Sequence, residues 1–215
     1  MHKLEEVKAR IALAAKRSGR DTLPTLVAVS KTRSAEEIRP LLEAGQRDFG
    51  ENRVQEAADK WPALREEYPD VRLHMVGQLQ SNKAEEAVAL FDAIHSLDRP
   101  SLLKAIAKAV ETQGRQPDLY VQVNIGAEEQ KGGVAVTELG DLLAMAKDKG
   151  LKIKGLMCIP PAELESSPFF ALLAELARRH GVDGLSMGMT HDVEEAAMLG
   201  ATAVRVGTAL FGPRG

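Results

Sequence analysis

One cysteine, Cys158, stands among 215 residues, so the chain can close no internal disulfide and build no multi-cysteine metal centre. That usage fits a reducing compartment, and we expect a cytoplasmic protein without a metal. Aromatic residues are scarce at 4 %, too few for a base-stacking platform. Neither charge sign dominates: 28 Lys and Arg face 31 Asp and Glu, a formal net charge of -3 that offers no basic field to a nucleic acid. No apolar run approaches the length of a membrane span. The start, Met1-His2-Lys3-Leu4-Glu5-Glu6, is charged where a signal peptide would be apolar. The expectation is one domain over residues 1–215, with neither nucleic acid nor membrane as partner.

What is there is alternation. After an amphipathic stretch over Leu4–Arg17, strand candidates follow at Thr25–Val29, Arg47–Phe49, Arg72–Val76, Phe91–His95, Leu119–Asn124, Lys152–Met157, Gly184–Ser186 and Ala203–Val206. Helical patterns fill the gaps at Ala35–Glu43, Glu51–Glu66, Ser81–Leu90, Pro100–Thr112, Val136–Lys149, Pro168–His180 and Val193–Leu199. Short apolar runs alternating with amphipathic helices make βαβ units and a parallel sheet. Eight units point to a closed (β/α)8 TIM barrel with an extra N-terminal helix, and a doubly wound open sheet is the alternative.

In such a barrel the carboxyl ends of the strands converge on the active-site face. Lys31 follows the apolar run Leu26-Val27-Ala28-Val29. A lysine delivered by a buried strand is costly unless paired or chemically used. Desolvation lowers its pKa and frees the amine for Schiff-base chemistry. The plain alternative is a side chain that bends out to solvent. The seventh strand opens into Ser186-Met187-Gly188-Met189-Thr190, with Asp192 close behind, and the eighth into Gly207-Thr208. Glycines let backbone N–H groups approach an anion, and loops after strands seven and eight of this fold often bind phosphate. An amine beside a phosphate site has two readings, a Schiff-base aldolase with a phosphorylated substrate or pyridoxal 5′-phosphate (PLP). Arg205 separates them. An arginine against a pyridine nitrogen keeps that atom unprotonated and weakens the electron sink. Its bland reading is a surface ion pair.

These residues belong to a wider pattern: Ala28-Val29-Ser30-Lys31-Thr32, Phe49-Gly50-Glu51-Asn52 with Val54-Gln55-Glu56, Gly77-Gln78-Leu79-Gln80-Ser81-Asn82-Lys83, Gln122-Val123-Asn124-Ile125, Lys131-Gly132-Gly133, Gly155-Leu156-Met157-Cys158-Ile159-Pro160, Leu185-Ser186-Met187-Gly188-Met189 and Val204-Arg205-Val206-Gly207-Thr208. In this order and spacing the chain resembles the pyridoxal phosphate homeostasis proteins, the family like the N-terminal domain of alanine racemase. The resemblance implies PLP held as an internal aldimine on Lys31. It implies phosphate contacts from Ser186, the Met187-Gly188 backbone, Gly207 and Thr208, with Arg205 near the pyridine nitrogen and Asn52 near the ring. It implies a carrier or buffer of PLP in vitamin B6 balance rather than an enzyme with robust turnover, and transient contact with PLP-dependent client enzymes. Leu73, Gln78 and His191 depart from the family pattern without removing a proposed contact.

Racemisation needs acid/base groups on both faces of the substrate α-carbon. Racemases of this fold bring the second group, a tyrosine, from a further domain and a partner subunit. Because the sequence ends at Gly215, soon after the eighth strand, we expect that domain to be missing, and Tyr68 and Tyr120 fall away from the expected rim. A weak racemase is the alternative. Cys158 is expected to be an apolar filler rather than a substitute acid, and His74 and His95 to be structural. Lys83 and Lys131 are either solvated or transient receivers of PLP, and Glu51 is expected to bond backbone groups at a helix start. With no apolar run that demands a partner, we expect a monomer.

Overall fold

The computed structural model describes residues 2–212. Eight parallel strands, β1 (Thr25–Val29), β2 (Asp48–Glu51), β3 (Arg72–Met75), β4 (Ala93–Leu97), β5 (Asp118–Gln122), β6 (Ile153–Met157), β7 (Gly184–Ser186) and β8 (Ala203–Val206), close into a barrel in sequence order. The ring closes where β1 pairs with β8, Val27 opposite Arg205. The open-sheet alternative is thereby excluded.

The helices are α1 (His2–Arg17), α2 (Ala35–Glu43), α3 (Val54–Glu67), α4 (Ala84–Leu90), α5 (Pro100–Gln113), α6 (Leu139–Asp148), α7 (Ser167–His180), α8 (Val193–Met198) and α9 (Thr208–Phe211). Their stripes of small and branched apolar residues cover the outer face of the barrel. In α1, Leu4, Val7, Ile11 and Ala14 recur at helical spacing and are buried, and the helix packs on α8 and α9. A bidentate pair from Arg10 to Glu194, at 2.6 and 2.8 Å, fixes α1 to α8. At α2, Ser34 Oγ accepts the Glu37 N–H and Glu37 accepts the Ser34 N–H, a reciprocal cap that starts the helix three residues after Lys31.

Several boundaries shift by one to three residues from the sequence expectation, and two of the shifts have a plain physical reason. The fourth strand runs over Ala93–Leu97 rather than Phe91–His95, because the Phe91 N–H still bonds to Ala87 O and closes α4. The second strand extends to Glu51, whose carbonyl accepts the Val76 N–H, so α3 begins at Val54 rather than Glu51. Glu51 is therefore a strand residue, buried in the layer between the barrel and its helices, and not part of a helix start.

Candidate functional site

Strand direction decides what reaches the rim. Along β1, Val27 and Val29 lie against the inward position Gly50, and Lys31 follows two residues past the strand end. Lys31 sits in the turn beyond β1, half-buried rather than enclosed as a strand residue. Val29, Lys31, Arg33, Gly207, Thr208 and Gly212 line one cleft at the carboxyl end of the barrel. The lysine after strand one and the glycine-threonine turn after strand eight, far apart in sequence, thus share a site.

The segment carrying Lys31 is held from outside the barrel. Thr32 has φ +63°, an unusual backbone for a β-branched residue, and its N–H donates to Glu56 Oε1 at 2.5 Å. Lys60 Nζ donates to Ser30 O and Arg33 O, each at 3.1 Å, and pairs with Glu51 Oε1 at 2.7 Å and Glu56 Oε1 at 3.3 Å. Glu51 Oε1 also accepts from Ser30 Oγ at 2.7 Å and Trp61 Nε1 at 3.0 Å. The residues flanking Lys31 are therefore bound on both sides by a buried ion pair. Sequence reasoning missed Lys60. Its one signal was the four-residue spacing from Glu56 on a helix.

Below the rim, Arg205 is 5 % exposed. Its Nη1 donates to Ser186 Oγ at 2.6 Å and its Nη2 to Cys158 O at 2.9 Å. It is no surface ion pair: among the described residues no carboxylate lies within ion-pair distance of it. Burial draws its pKa below the ordinary arginine value. A buried guanidinium without a carboxylate is suited to a further acceptor atom or an anion.

The turn after β7 is built for close approach. Gly188 has φ +92°, and a Cβ there would collide with Ala196. Its carbonyl accepts the Arg205 N–H at 2.9 Å, while Asp192 Oδ1 accepts the Met189 N–H at 2.6 Å and pins the turn. The Met187 N–H bonds to Ala203 O, which puts any backbone approach on Gly188 rather than Met187. Ser186 is fully buried beneath this turn. Thr208 is exposed and Gly207 half-buried. Asn52 does not line the Lys31 cleft; it lines a second one, shared with Gln78, Gln80 and Lys83. Gly77 makes room for it, since a Cβ there would strike the Asn52 backbone.

The remaining candidates have settled places. Cys158 is buried in the core, and desolvation pushes its thiol up to about 12, so at neutral pH it is an unionised filler. Lys83 pairs with Glu86 at 2.7 Å, and Lys131 holds Pro160 O at 3.0 Å and Glu128 at 2.6 Å. Tyr120 stacks on His95 inside the barrel, and Tyr68 packs under the Arg47 guanidinium. His74 and His95 are satisfied interior groups, joined to each other at 3.0 Å.

A closed parallel barrel with a lysine after its first strand and small-residue turns after its last two defines the alanine racemase N-terminal domain class, and the family model of that description matches residues 3–215. The pyridoxal phosphate homeostasis protein of Escherichia coli strain K12 is 38 % identical over 224 residues, covering 99 % of this chain and 96 % of that protein. PipY of Synechococcus elongatus PCC7942, solved with PLP bound, superposes with a TM-score of 0.81 at 40 % identity, covering 96 % of this chain and 100 % of that one. The alanine racemase of Acinetobacter baumannii shares the fold at 14 % identity and a TM-score of 0.74, with 99 % of this chain and 62 % of that chain aligned. The chain belongs to the pyridoxal phosphate homeostasis protein family.

Proposed function

We propose that this protein binds pyridoxal 5′-phosphate at the carboxyl end of its barrel, attaches it through Lys31, and buffers or carries it within the cytoplasm. The observation that carries this reading is the meeting of Lys31 and the Gly207-Thr208 turn in one cleft, together with a buried Arg205 that no carboxylate pairs among the described residues. The family relation and the PLP-bound PipY structure support it. The donor set fits the group. Lys31 offers a primary amine, Gly188 and Gly207 backbone that approaches closely, Thr208 a hydroxyl, and Arg205 a donor for a ring nitrogen. PLP supplies an aldehyde that condenses with an amine and a ring that withdraws electrons. Arg205 only donates hydrogen bonds, so it keeps a facing nitrogen from taking a proton and lowers that withdrawal.

The same groups favour storage over turnover. Abstraction and return of an α-proton on opposite faces needs a second acid/base group across from Lys31. Cys158 is a buried thiol with a pKa near 12, and Tyr120 is enclosed against His95. Among the described residues no helix is long and apolar enough to cross a membrane, and the exposed large apolar side chains Leu13, Leu23, Leu164, Leu172, Met189 and Met198 fall on six separate segments. The reading takes the protein as a monomer that meets client enzymes transiently.

The test loads the purified protein with PLP and follows α-deuterium exchange of alanine. We expect saturable binding, with exchange no faster than with free PLP. Exchange accelerated well beyond free PLP would make it a racemase. Failure to bind PLP, with cleavage of a phosphorylated ketose instead, would return the aldolase reading.

A further inference from the structure

Five side chains form one hydrogen-bonded row through the barrel interior. Asp48 Oδ1 meets His74 Nε2 at 2.9 Å, His74 Nδ1 meets His95 Nε2 at 3.0 Å, and His95 Nδ1 meets Ser186 Oγ at 2.7 Å. Arg205 Nη1 closes the row on Ser186 Oγ at 2.6 Å. His95 and Ser186 are fully buried, and His74 and Arg205 nearly so. The row starts at β2, near the barrel floor, and ends beneath the candidate phosphate turns.

Hydrogen counting gives the row a direction. Arginine only donates, a serine hydroxyl has one hydrogen, and a neutral imidazole donates from one nitrogen and accepts at the other. Without an added proton, every link is satisfied in one way. Ser186 O–H donates to His95 Nδ1, His95 Nε2–H donates to His74 Nδ1, and His74 Nε2–H donates to the Asp48 carboxylate. Burial, then the nearby His74, Arg205 and Lys154 charges, holds the His95 pKa well below the ordinary histidine value, which keeps it neutral and supports this order. In this state the Ser186 hydrogen is directed inward. The hydroxyl has no hydrogen left for an anion at the rim.

We propose that Asp48, His74 and His95 form a proton-linked relay that positions Ser186, so that binding of a phosphate group at the rim reverses the row and stores one proton on His74. This rests on the PLP reading, which places the phosphate beside Ser186. The transfer balances. A proton reaching the rim from solvent bonds to Ser186 Oγ as Ser186 gives its own hydrogen to His95 Nδ1. His95 gives its Nε2 hydrogen to His74 Nδ1. His95 stays neutral with its tautomer exchanged. His74 ends with both nitrogens protonated against the Asp48 carboxylate, and the Ser186 hydroxyl turns to the phosphate. Among the described residues the other ionisable groups around the row are Tyr120, stacked on His95 from β5, Asp118 beyond it with its partners Arg72 on β3 at 2.9 Å and Lys154 on β6 at 2.6 Å, Cys158 past the end of β6, and Asp192 after β7, whose charge acts on Arg205. Strands β1 and β7 contain no titratable residue. His74 alone has both nitrogens in the row and a carboxylate partner, which is why the proton comes to rest there.

The test is nitrogen NMR of the full chain with 15N-labelled histidine, free and with pyridoxine 5′-phosphate, which keeps ring and phosphate but has no aldehyde. His74→Gln and His95→Gln assign the signals. In the free protein both buried imidazoles should be Nε2–H tautomers. With ligand, His95 should become Nδ1–H and His74 doubly protonated. Calorimetry in buffers of different ionisation enthalpy should show wild type taking up about one proton per ligand more than His74→Gln. Binding with unchanged tautomers and equal proton counts would overturn the relay and leave the PLP reading intact. Failure of both pyridoxine 5′-phosphate and PLP to bind would overturn the PLP reading, and the relay with it.

Discussion

Lys60→Ala is expected to destabilise the native chain by about 3–5 kcal/mol, because it leaves a buried carboxylate without its counter-charge. The Glu51 side chain is fully buried and that of Lys60 is 8 % exposed, so water does little to screen the pair. Glu51 Oε2 is already buried with no hydrogen-bond partner among the described residues, and it gains none when Lys60 is removed. Urea unfolding at neutral pH measures the loss as a lower midpoint at unchanged slope. The double variant Glu51→Leu with Lys60→Met removes both charges and should recover most of that stability, since apolar replacements of a buried pair are often neutral. It should not recover PLP attachment to the same degree. Ser30 O and Arg33 O lose their shared donor, and the turn that aims Lys31 is left less constrained. Stability and attachment that recover together would show that the ion pair serves the fold alone.

Arg205→Met is expected to weaken PLP binding by about 10- to 150-fold, the loss of one charge-assisted hydrogen bond worth about 1.5–3 kcal/mol. The PLP-free protein should keep its stability to within about 2 kcal/mol, because the relief of a desolvated charge offsets the lost bonds to Ser186 and Cys158 O. Equilibrium titration with PLP and urea unfolding of the same sample separate the two effects. Unchanged affinity would remove Arg205 from the site. A collapse in stability with no separate binding defect would make it a packing residue.

The barrel was legible because each unit buries an apolar run against an amphipathic helix and eight such units point to a closed ring, while the pairing of β1 with β8 that excludes an open sheet is seen only in the structure. The rim was legible for the same reason: in a parallel sheet every strand delivers its next residues to one face, so Lys31, Gly188 and Gly207 could be placed from their distance past an apolar run. The interior row was not legible. Asp48, His74, His95, Ser186 and Arg205 come from five strands, and nothing in the sequence around each shows that ring closure brings them within hydrogen-bond reach. Glu51 was misread as a helix start because a charged residue after glycine resembles a cap, whereas its ladder bond to Val76 keeps it in β2. Lys60 on α3 looks like any solvated helix lysine until the β1–α2 turn folds over it.

The most direct measurement is borohydride reduction of the PLP-loaded protein followed by peptide mapping, with wild type beside Lys31→Ala. The account predicts a visible absorption band that reduction abolishes, with the ring recovered on the peptide containing Lys31, and neither band nor labelled peptide in Lys31→Ala. Label on Lys83 or Lys131 in the wild type, or a band that survives in Lys31→Ala, would contradict it.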